Sequence, residues 1–496
     1  HEPLFQETLR EAGLNPYLFE MANIRDQCSW VHMGDPDGAT QKAKDLVRMA
    51  VRKARLLEPL EKMTLEVHPG ALVIGGGVAG MTAALSLSEQ GFGVSLVESD
   101  QELGGNLRRI RYTLDGETSG MFRSLVDRVR SDARIDLYTG TQVEEIEGYV
   151  GNFQTKLSNG NGGIRIEHGV VIVATGAEEL ETNKFLYGED SRVISQLALE
   201  EKLVEWESGE SPCRTFSPSH FLPVGELGQG GAVVMIQCVG SRDAEHPYCS
   251  RTCCSEAIKN ARRLKAMRPD LEVYILYRDI RTYGFREAYY RQAREEGIIF
   301  IRYEKDAEPE VVRSDGKLCV SVTDPILKAR LKIEADWVVL SLGTIARAEN
   351  HRIAQMLKVP LNEDGFFLEA HVKLRPVDFA TEGVFVCGTA HAPKSIDETI
   401  AQAYAAAARA ATVLSRDTIE AEGKTAQVDE RMCVGCGMCE AVCPYSAVEV
   451  DAERMIAVVN EVICKGCGAC SATCRSGAID VRGFADEQIL AAIDAL

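Results

Sequence analysis

The sequence predicts an α/β protein with two dinucleotide-binding-type domains and a small cysteine-rich α+β module at the C-terminus. Three observations support this prediction. A strand, a glycine turn and a helix occur near residue 75, a second strand–helix–strand unit follows near residue 235, and eight cysteines crowd between Cys433 and Cys474. The 496 residues are too many for one hydrophobic core, so we expect several domains.

Composition narrows the functional class. The chain is 45% hydrophobic and 26% charged, as in globular proteins, and its net charge of -19 argues against a nucleic-acid partner. That charge indicates either a solvated surface or steering of basic redox partners. No apolar run approaches the ~20 residues that span a bilayer, and no signal peptide is recognised. Twelve of the sixteen cysteines lie in two clusters, which favours a reducing cytoplasm. The chain starts at His1 without methionine, so we expect a longer N-terminus.

The first nucleotide-binding unit reads "ALVIGGGVAGMTAALSLSEQGFGVSLVES". Gly75, Gly77 and Gly80 form G-x-G-x-x-G between an apolar strand and a helix, and Glu98 follows 18 residues beyond Gly80. Such glycines let the backbone approach a pyrophosphate at the helix N-terminus, and the acid accepts from ribose hydroxyls. The glycine pattern alone is weak, but here it has its full βαβ context.

Further segments favour a flavin over a nicotinamide. These are "GGNLRR", "VVIVATGA" and "GVFVCGTAHAPKSIDETIAQAYAAAARAA". The set resembles flavoproteins of the thioredoxin reductase class, which implies FAD with the last segment closing over the flavin. Thr389 stands where such families often carry aspartate. The expected FAD contacts are Gly75, Gly77, Gly80, Glu98, Gly105, Asn106, Thr175, Gly176, Gly388 and Thr389.

The second unit lacks its glycine loop. Strands at "AVVMIQ" and "LEVYILYRD" flank a helix at "SEAIKNARRLKAM", but "CVGSRDAEHPYCSRTCC" stands between the first strand and the helix. Only Gly240 remains there, so a pyrophosphate cradle is hard to build and nicotinamide binding is not expected.

Four cysteines replace that loop, namely Cys238, Cys249, Cys253 and Cys254. A redox disulfide would favour C-x-x-C, which Cys249 and Cys253 miss by one residue, and a vicinal bridge is strained. Buried structural thiols remain a second possibility. We favour a [4Fe-4S] cluster, because it needs four thiolates and the helix N-terminus favours their negative charge.

The C-terminal module repeats one cysteine pattern. The runs "CVGCGMCEAVC" and "CKGCGACSATC" are both C-x2-C-x2-C-x3-C, 31 residues apart. In two-cluster ferredoxins the fourth cysteine of each run serves the other cluster. We therefore assign one [4Fe-4S] cluster to Cys433, Cys436, Cys439 and Cys474, and a second to Cys464, Cys467, Cys470 and Cys443. Zinc, which prefers two separated C-x-x-C pairs, fits this pattern poorly.

The motifs "CVGSRD" and "PYCSRTCC", the double ferredoxin and the opening "HEPLFQETLREAGLNPYLFEMANIRDQCSWVH" together resemble the A subunit of heterodisulfide reductase over essentially the whole chain. The resemblance implies FAD at a junction of electron-transfer branches and a third [4Fe-4S] cluster on the four central cysteines. It also implies that Lys259, one helical turn past Cys254, approaches the flavin. The alternative for Lys259 is a solvated surface lysine. Lys394 is a second candidate for tuning the flavin.

The resemblance further implies a function. The flavin would receive electron pairs from a hydrogenase or formate dehydrogenase partner and split them between ferredoxin and disulfide-reducing B and C subunits. A homodimer within a larger complex is expected. Compared with many members, the chain lacks part of the N-terminal domain and an inserted ferredoxin domain, so simple relay without bifurcation remains open. Two further functions remain open as well, a non-catalytic scaffold or an NAD(P)H-using flavoprotein like the glutamate synthase small subunit.

The expected domain organisation has five segments: an N-terminal helical remnant or linker at 1–66, the first part of the FAD domain at 67–228, the second nucleotide-binding-like domain at 229–345, the return segment of the FAD domain at 346–420 and the ferredoxin domain at 421–496. Two isolated cysteines have weaker assignments. Cys28 is either a cluster ligand or a buried thiol, and Cys387 is expected to be a packed thiol.

Overall fold

The structure is a computed structural model that describes residues 2–114, 116–158, 163–208, 231–314, 316–421 and 423–496. The expected domain boundary at 228/229 lies outside these ranges. The chain divides into two compact units. The larger is His68–Ser415, and the smaller joins the segment that ends at Val67 to Arg416–Leu496.

The described residues contain α-helices and mostly short strands. The helices are α1 Glu2–Glu11, α2 Pro36–Ala54, α3 Val78–Glu89, α4 Ser119–Ser131, α5 Gln196–Ser208, α6 Cys253–Met267, α7 Glu287–Glu295, α8 Asn350–Leu357, α9 Ile396–Leu414, α10 Met438–Val442, α11 Ala469–Thr473 and α12 Asp486–Ile493. The strands are β1 Met63–Glu66, β2 Gly70–Ile74, β3 Gly93–Val97, β4 Tyr112–Thr113, β5 Gly116–Glu117, β6 Ile135–Tyr138, β7 Gln142–Tyr149, β8 Asn152–Ser158, β9 Gly163–His168, β10 Val170–Val173, β11 Ala177–Glu179, β12 Val193–Ser195, β13 Ala232–Val239, β14 Glu272–Tyr277, β15 Ile299–Arg302, β16 Glu310–Ser314, β17 Lys317–Asp324, β18 Ala329–Ala335, β19 Trp337–Leu342, β20 Thr344–Ala346, β21 Val384–Val386, β22 Thr418–Ala421, β23 Ala426–Val428, β24 Val448–Asp451, β25 Ile456–Val459 and β26 Ile479–Val481.

The larger unit contains two parallel five-stranded sheets. The first has the order β21-β10-β2-β3-β6 and the second β12-β19-β13-β14-β15. Strands β10, β13 and β19 are buried throughout, because helices cover one face of each sheet and an antiparallel three-stranded sheet packs on the other face. The two α/β units predicted from the sequence are thus confirmed. Two antiparallel three-stranded sheets, β7-β8-β9 and β16-β17-β18, and two two-stranded sheets, β4-β5 and β11-β20, are the other sheets described in this unit.

Small residues let helices α3 and α9 pack closely beside the first sheet. Ala403, Ala406, Ala407 and Ala410 of α9 are fully buried at helical spacing, and most of α3 is buried. Helix α9 begins with a capping box, in which Ser395 and Glu398 satisfy each other's backbone N–H groups. This cap fixes the position at which the chain enters α9, beside the cavity described below.

The smaller unit joins the start of the chain to the cysteine-rich module. Strand β1 pairs antiparallel with β22, and the Gly423 N–H donates to the Tyr17 hydroxyl at 2.8 Å. Gln488 Nε2 on α12 donates to the Leu56 carbonyl oxygen at 2.9 Å. Residues before β2 therefore fold with the C-terminal module, which spacing along the chain did not predict.

Candidate functional site

A cavity of about 490 Å³ lies at the carboxyl ends of the first sheet's strands, where parallel α/β sheets bind ligands. All the expected FAD contacts except Gly80 and Gly388 line it. Lys259, Lys394 and Cys253 line the same cavity. The structure therefore brings the predicted flavin residues, both lysines and one of the four central cysteines to one place.

The glycine turn between β2 and α3 is closely packed except at one position. A Cβ on Gly75 would lie 2.3 Å from the Ala174 carbonyl oxygen, and one on Gly80 would lie 1.8 Å from the Gly75 carbonyl oxygen. A Cβ on Gly77 would meet no heavy atom of the described residues within 4 Å. Since no described side chain caps the first N–H groups of α3, the turn is an open anion site that fits the pyrophosphate of FAD.

Glu98 lies at the end of β3 in the cavity wall. Its Oε2 accepts from the Gly76 N–H at 2.7 Å, and its Oε1 accepts from the Asp100 N–H at 2.8 Å. Only 7% of the residue is exposed. Glu98 therefore braces the glycine turn, and the remaining lone pairs of its carboxylate suit ribose hydroxyls.

The remaining flavin candidates are held by contacts between segments. Asn106 Nδ2 donates to the Ala177 carbonyl oxygen at 2.9 Å, and the Thr175 hydroxyl donates to Asn350 Oδ1 at 2.9 Å. A Cβ on Gly388 would lie 2.7 Å from that of Ala79, so the turn between β21 and α9 touches α3. Thr389, which replaces the commoner aspartate, lines the cavity next to Gly176.

Lys259 is buried, with 5% of the residue exposed, so the solvated-lysine alternative is wrong. Its Nζ lies 2.8 Å from Glu200, 2.6 Å from Glu256 and 2.7 Å from the Tyr112 carbonyl oxygen. Burial alone would lower the pKa of Lys259, but Glu256 and Glu200 raise it. The Tyr112 hydroxyl donates to Asn260 at 2.6 Å, which completes a buried polar network at the cavity wall.

Replacing Glu200 with glutamine is expected to lower the free energy of unfolding by about 2–4 kcal/mol, because a buried lysine loses one of its two carboxylate partners. Glu200 also accepts the Tyr112 N–H at 3.0 Å, a bond that glutamine can keep. Urea denaturation of the full chain measures the change. The control is Glu201→Gln, whose side chain is 38% exposed beside Arg109 and should cost less than about 0.5 kcal/mol. Equal effects of the two changes would contradict the prediction.

The four central cysteines come together at the start of α6. Burial raises the pKa of Cys254 to about 12, and electrostatic repulsion from Cys238 and Cys249 also raises it. Burial also raises the pKa of Cys253 well above the usual range, and the other three cysteines add to it. Four mutually close thiols become thiolates when a metal takes the place of their protons. The donor set therefore fits a [4Fe-4S] cluster.

Arginines surround these thiols. Arg242 Nη1 lies 3.9 Å from Cys238 Sγ, and the Arg251 N–H donates to Cys249 Sγ at 3.3 Å. The Arg251 guanidinium reaches across to Glu398 at 2.7 Å and to the Pro393 carbonyl oxygen at 3.1 Å. Arg251 therefore ties the cysteine loop to the cap of α9, while the Arg242 guanidinium places positive charge beside the Cys238 sulfur.

The loop between β13 and α6 cannot take the form of the glycine turn. Three residues, 75–77, connect β2 to α3, whereas thirteen, 240–252, connect β13 to α6. Gly240 has φ +68°, and a Cβ there would lie 1.8 Å from Leu180 Cδ2. The only glycine of the loop thus packs against protein atoms and is not open as Gly77 is.

Each predicted cysteine set of the C-terminal module surrounds its own small cavity. One is lined by Cys433, Cys436, Cys439 and Cys474, and the other by Cys443, Cys464, Cys467 and Cys470. Backbone N–H groups of Ala457, Ala426 and Ala478 donate to sulfurs at 3.3 Å, as is favourable around cluster thiolates. The grouping matches the crossed assignment made from the two runs.

Within the part of the chain that the structure describes, no three His, Cys, Asp or Glu side chains are close enough to hold a single metal ion.

Cys28 is buried and donates to the Ala39 carbonyl oxygen at 2.7 Å, while Cys387 is fully buried. Among the described helices, none is both long and apolar enough to cross a membrane.

Sequence reasoning missed Glu200, Arg251 and the partners of Lys394. The burial of Glu200 could have been predicted from helical spacing, because Glu200 lies between Gln196 and Leu203 on the buried face of α5. Arg251 carried none, since its partners lie about 140 residues further along the chain.

Family models and known proteins similar to this chain were found by comparison. The pyridine nucleotide-disulphide oxidoreductase family model matches residues 70–214, and the 4Fe-4S dicluster domain model matches residues 432–478. The second iron-sulfur A subunit of CoB–CoM heterodisulfide reductase from Methanopyrus kandleri is 37% identical over 539 residues, covering 91% of this chain and 80% of that protein. The A subunit of H(2):CoB-CoM heterodisulfide,ferredoxin reductase from Methanothermobacter thermautotrophicus is 38% identical over 537 residues, with the same coverage of 91% and 80%. Thioredoxin reductase of Lactococcus lactis aligns in structure with TM-score 0.46 and 17% identity, over 70% of this chain and 99% of that one.

Proposed function

The chain belongs to the family of heterodisulfide reductase A subunits, and from this premise we propose that it is the FAD- and [4Fe-4S]-containing electron-transfer subunit of a heterodisulfide-reductase-like complex. It is an oxidoreductase. One observation carries the proposal: Cys253, at the start of α6, and Gly77, in the glycine turn, line the same cavity. A cluster held at the cysteine loop would therefore adjoin a flavin held at the glycine turn.

The residues divide the work of binding. Gly75, Gly77 and Gly80 shape an anion site at the N-terminus of α3, and Glu98 offers its carboxylate to the ribose. When bound, FAD takes up electrons in pairs and passes them on singly, and [4Fe-4S] clusters carry single electrons. We assign three clusters, one to the central cysteines and two to the C-terminal module.

Lys259 and Lys394 supply positive charge to the cavity wall. Lys259 is held between Glu200 and Glu256, so its charge is largely balanced within the protein. Burial lowers the pKa of Lys394 to about 8, so this side chain can change its protonation near neutral pH. Lys394 is therefore the better candidate for a group that exchanges protons, and Lys259 for a fixed charge.

A finer function can be proposed by analogy with the family. We propose that a hydrogenase, formate dehydrogenase or similar subunit supplies electron pairs, and that single electrons leave toward ferredoxin and toward a disulfide-reducing pair of B and C subunits. A homodimeric arrangement in the cytoplasm is part of the same proposal. The segment between β3 and β7 contains no cysteine, so it offers no thiolate ligands for an additional iron-sulfur cluster.

The deciding experiment mixes the anaerobic, cofactor-loaded chain separately with NADH and NADPH and records the flavin absorbance. We expect no bleaching over minutes, because the cysteine loop replaces the second pyrophosphate cradle. In the same preparation, the B and C subunits with an electron-donating partner should support reduction of a heterodisulfide, and ferredoxin reduction should require that disulfide. Rapid bleaching by either nicotinamide would instead support a flavoprotein of the glutamate synthase small-subunit type.

A further inference from the structure

A row of hydrogen bonds leads from the cavity wall toward solvent. Lys394 Nζ donates to the carbonyl oxygens of Gly388 and Ala392 at 2.6 and 3.0 Å, and lies 3.4 Å from His391 Nδ1. His391 Nε2 lies 2.8 Å from Glu369 Oε2. The His391 side chain is 20% exposed and the Glu369 side chain 11%, so the row reaches the protein surface at these two residues.

Gln402 determines which ring nitrogen of His391 carries the proton. The Gly388 N–H donates to Gln402 Oε1 at 3.0 Å, so the amide nitrogen of Gln402 must face His391 Nδ1, 3.0 Å away. The Lys394 ammonium also faces Nδ1. Two donors at Nδ1 make it an acceptor, and the ring proton therefore lies on Nε2, where it is donated to Glu369.

The charged groups near this row do not neutralise the Lys394 ammonium or the Glu369 carboxylate. Arg251 and Glu398 form an ion pair at 2.7 Å and largely cancel each other. Burial raises the pKa of Cys387 to about 12, so its thiol is neutral at physiological pH. The ammonium of Lys394 and the carboxylate of Glu369 then remain as opposite charges on either side of a neutral imidazole.

We propose that His391 and Glu369 form a proton path between Lys394, in the flavin cavity, and solvent. In the outward step, a Lys394 Nζ–H bond breaks as a His391 Nδ1–H bond forms, and the His391 Nε2–H bond breaks as a Glu369 Oε2–H bond forms. Glu369 then releases the proton to water, no electron moves, and the inward step reverses the sequence. The opposite charges at the ends are neutralised by the transfer, so the intermediate state leaves no buried charge.

The inference rests on the proposed function only for the origin of the proton, which is the one that accompanies two-electron chemistry of a bound flavin. His391 and Glu369 do not line the cavity and act through Lys394. They are positioning and relay residues, so the test needs a readout that a purely structural role would not change.

The test mixes the anaerobically reduced, cofactor-loaded full chain with ferricyanide and follows flavin absorbance together with a pH-indicator dye. Each flavin gives two electrons to two ferricyanide ions, and its proton appears in solution. In the unmodified chain, proton release should keep pace with flavin oxidation. In Glu369→Gln and His391→Ala the rate of proton release should be at least about tenfold lower than the rate of flavin oxidation, because loss of a proton-transfer group commonly has an effect of this size.

Chemical rescue separates a relay from a structural role. Added imidazole should restore proton release in His391→Ala, where the removed ring leaves space, and should have no effect in Glu369→Gln. Glu363→Gln, which changes a neighbouring acid in the same segment, is the matched control and should behave like the unmodified chain. Undiminished proton release in both variants, or a lag that imidazole leaves unchanged in His391→Ala, would overturn the proposal.

A second measurement does not need the flavin. Amine-specific labelling of the full chain without FAD, quantified peptide by peptide across pH 6–10, reports the titration of Lys394. Glu369→Gln should move its midpoint to lower pH, because a negative charge that favours the ammonium is removed. If the chain binds no FAD, the proposed function fails while this measurement still applies; an unchanged midpoint in Glu369→Gln would contradict the path itself.

Discussion

Replacing Gly77 with alanine is expected to weaken FAD binding by roughly tenfold to a hundredfold without destabilising the fold. Gly77 has φ -74°, a value that alanine adopts freely, and a Cβ there would meet no described heavy atom within 4 Å. The new methyl group would instead project where the phosphates approach the turn. Reconstitution of the stripped chain with FAD, followed by flavin fluorescence, measures the affinity, and urea denaturation measures the stability.

Two other glycines of the same βαβ unit serve as matched controls. A Cβ on Gly93 would also meet no described heavy atom within 4 Å, and Gly93 is exposed, so Gly93→Ala should keep both stability and FAD affinity. Gly80→Ala should lose stability as well, because its Cβ would lie 1.8 Å from the Gly75 carbonyl oxygen. If Gly77→Ala binds FAD as tightly as Gly93→Ala, the flavin phosphates do not lie on this turn.

Replacing Cys249 with alanine should reduce the iron content of the anaerobically purified chain from about twelve to about eight atoms, the loss of one [4Fe-4S] cluster. Cys249 is the cleanest position to change, because it is only partly buried and the surrounding packing should tolerate alanine. Iron quantitation and EPR of the reduced protein measure the effect. The FAD content should stay near one per chain.

Cys319→Ala provides the control for the iron measurement. Cys319 is also a partly buried free cysteine, but it lies on β17 and belongs to none of the three assigned sets. It should retain about twelve irons. A count of eight in the unmodified chain, unchanged in Cys249→Ala, would remove the central cluster and return the thiols to the redox-disulfide or structural interpretations.

The sequence was sufficient for features that depend on short spacings. The strand, glycine turn and helix of the first unit follow from local preferences, and the structure has them as β2, residues 75–77 and α3. The crossed cysteine sets follow from an internal repeat whose two halves must share one module. The helix expected at 255–267 is α6, which begins two residues earlier, at Cys253.

Features set by long-range packing were not predictable in the same way. Glu200 and Lys259 are 59 residues apart, so even though helical spacing marks Glu200 as buried, the sequence does not identify Lys259 as its partner. Their pairing depends on how α5 and α6 pack on the second sheet. The His391–Glu369 contact forms because the turn between β21 and α9 packs against a segment 22 residues earlier in the chain. That separation matches neither helical nor strand periodicity, so the sequence does not predict the contact.

The pairing of β1 with β22 has a consequence for synthesis of the protein. These strands are separated by about 350 residues, so β1 leaves the ribosome roughly 20–70 s before its partner at ordinary translation speeds. Closing so long a loop is entropically slow, and until then the N-terminal segment exposes side chains that the folded protein buries, such as Tyr17 beside Gly423. The cysteine-rich module thus completes a compact unit whose N-terminal part is made much earlier, and we expect nascent chains of this protein to bind chaperones until that module has folded.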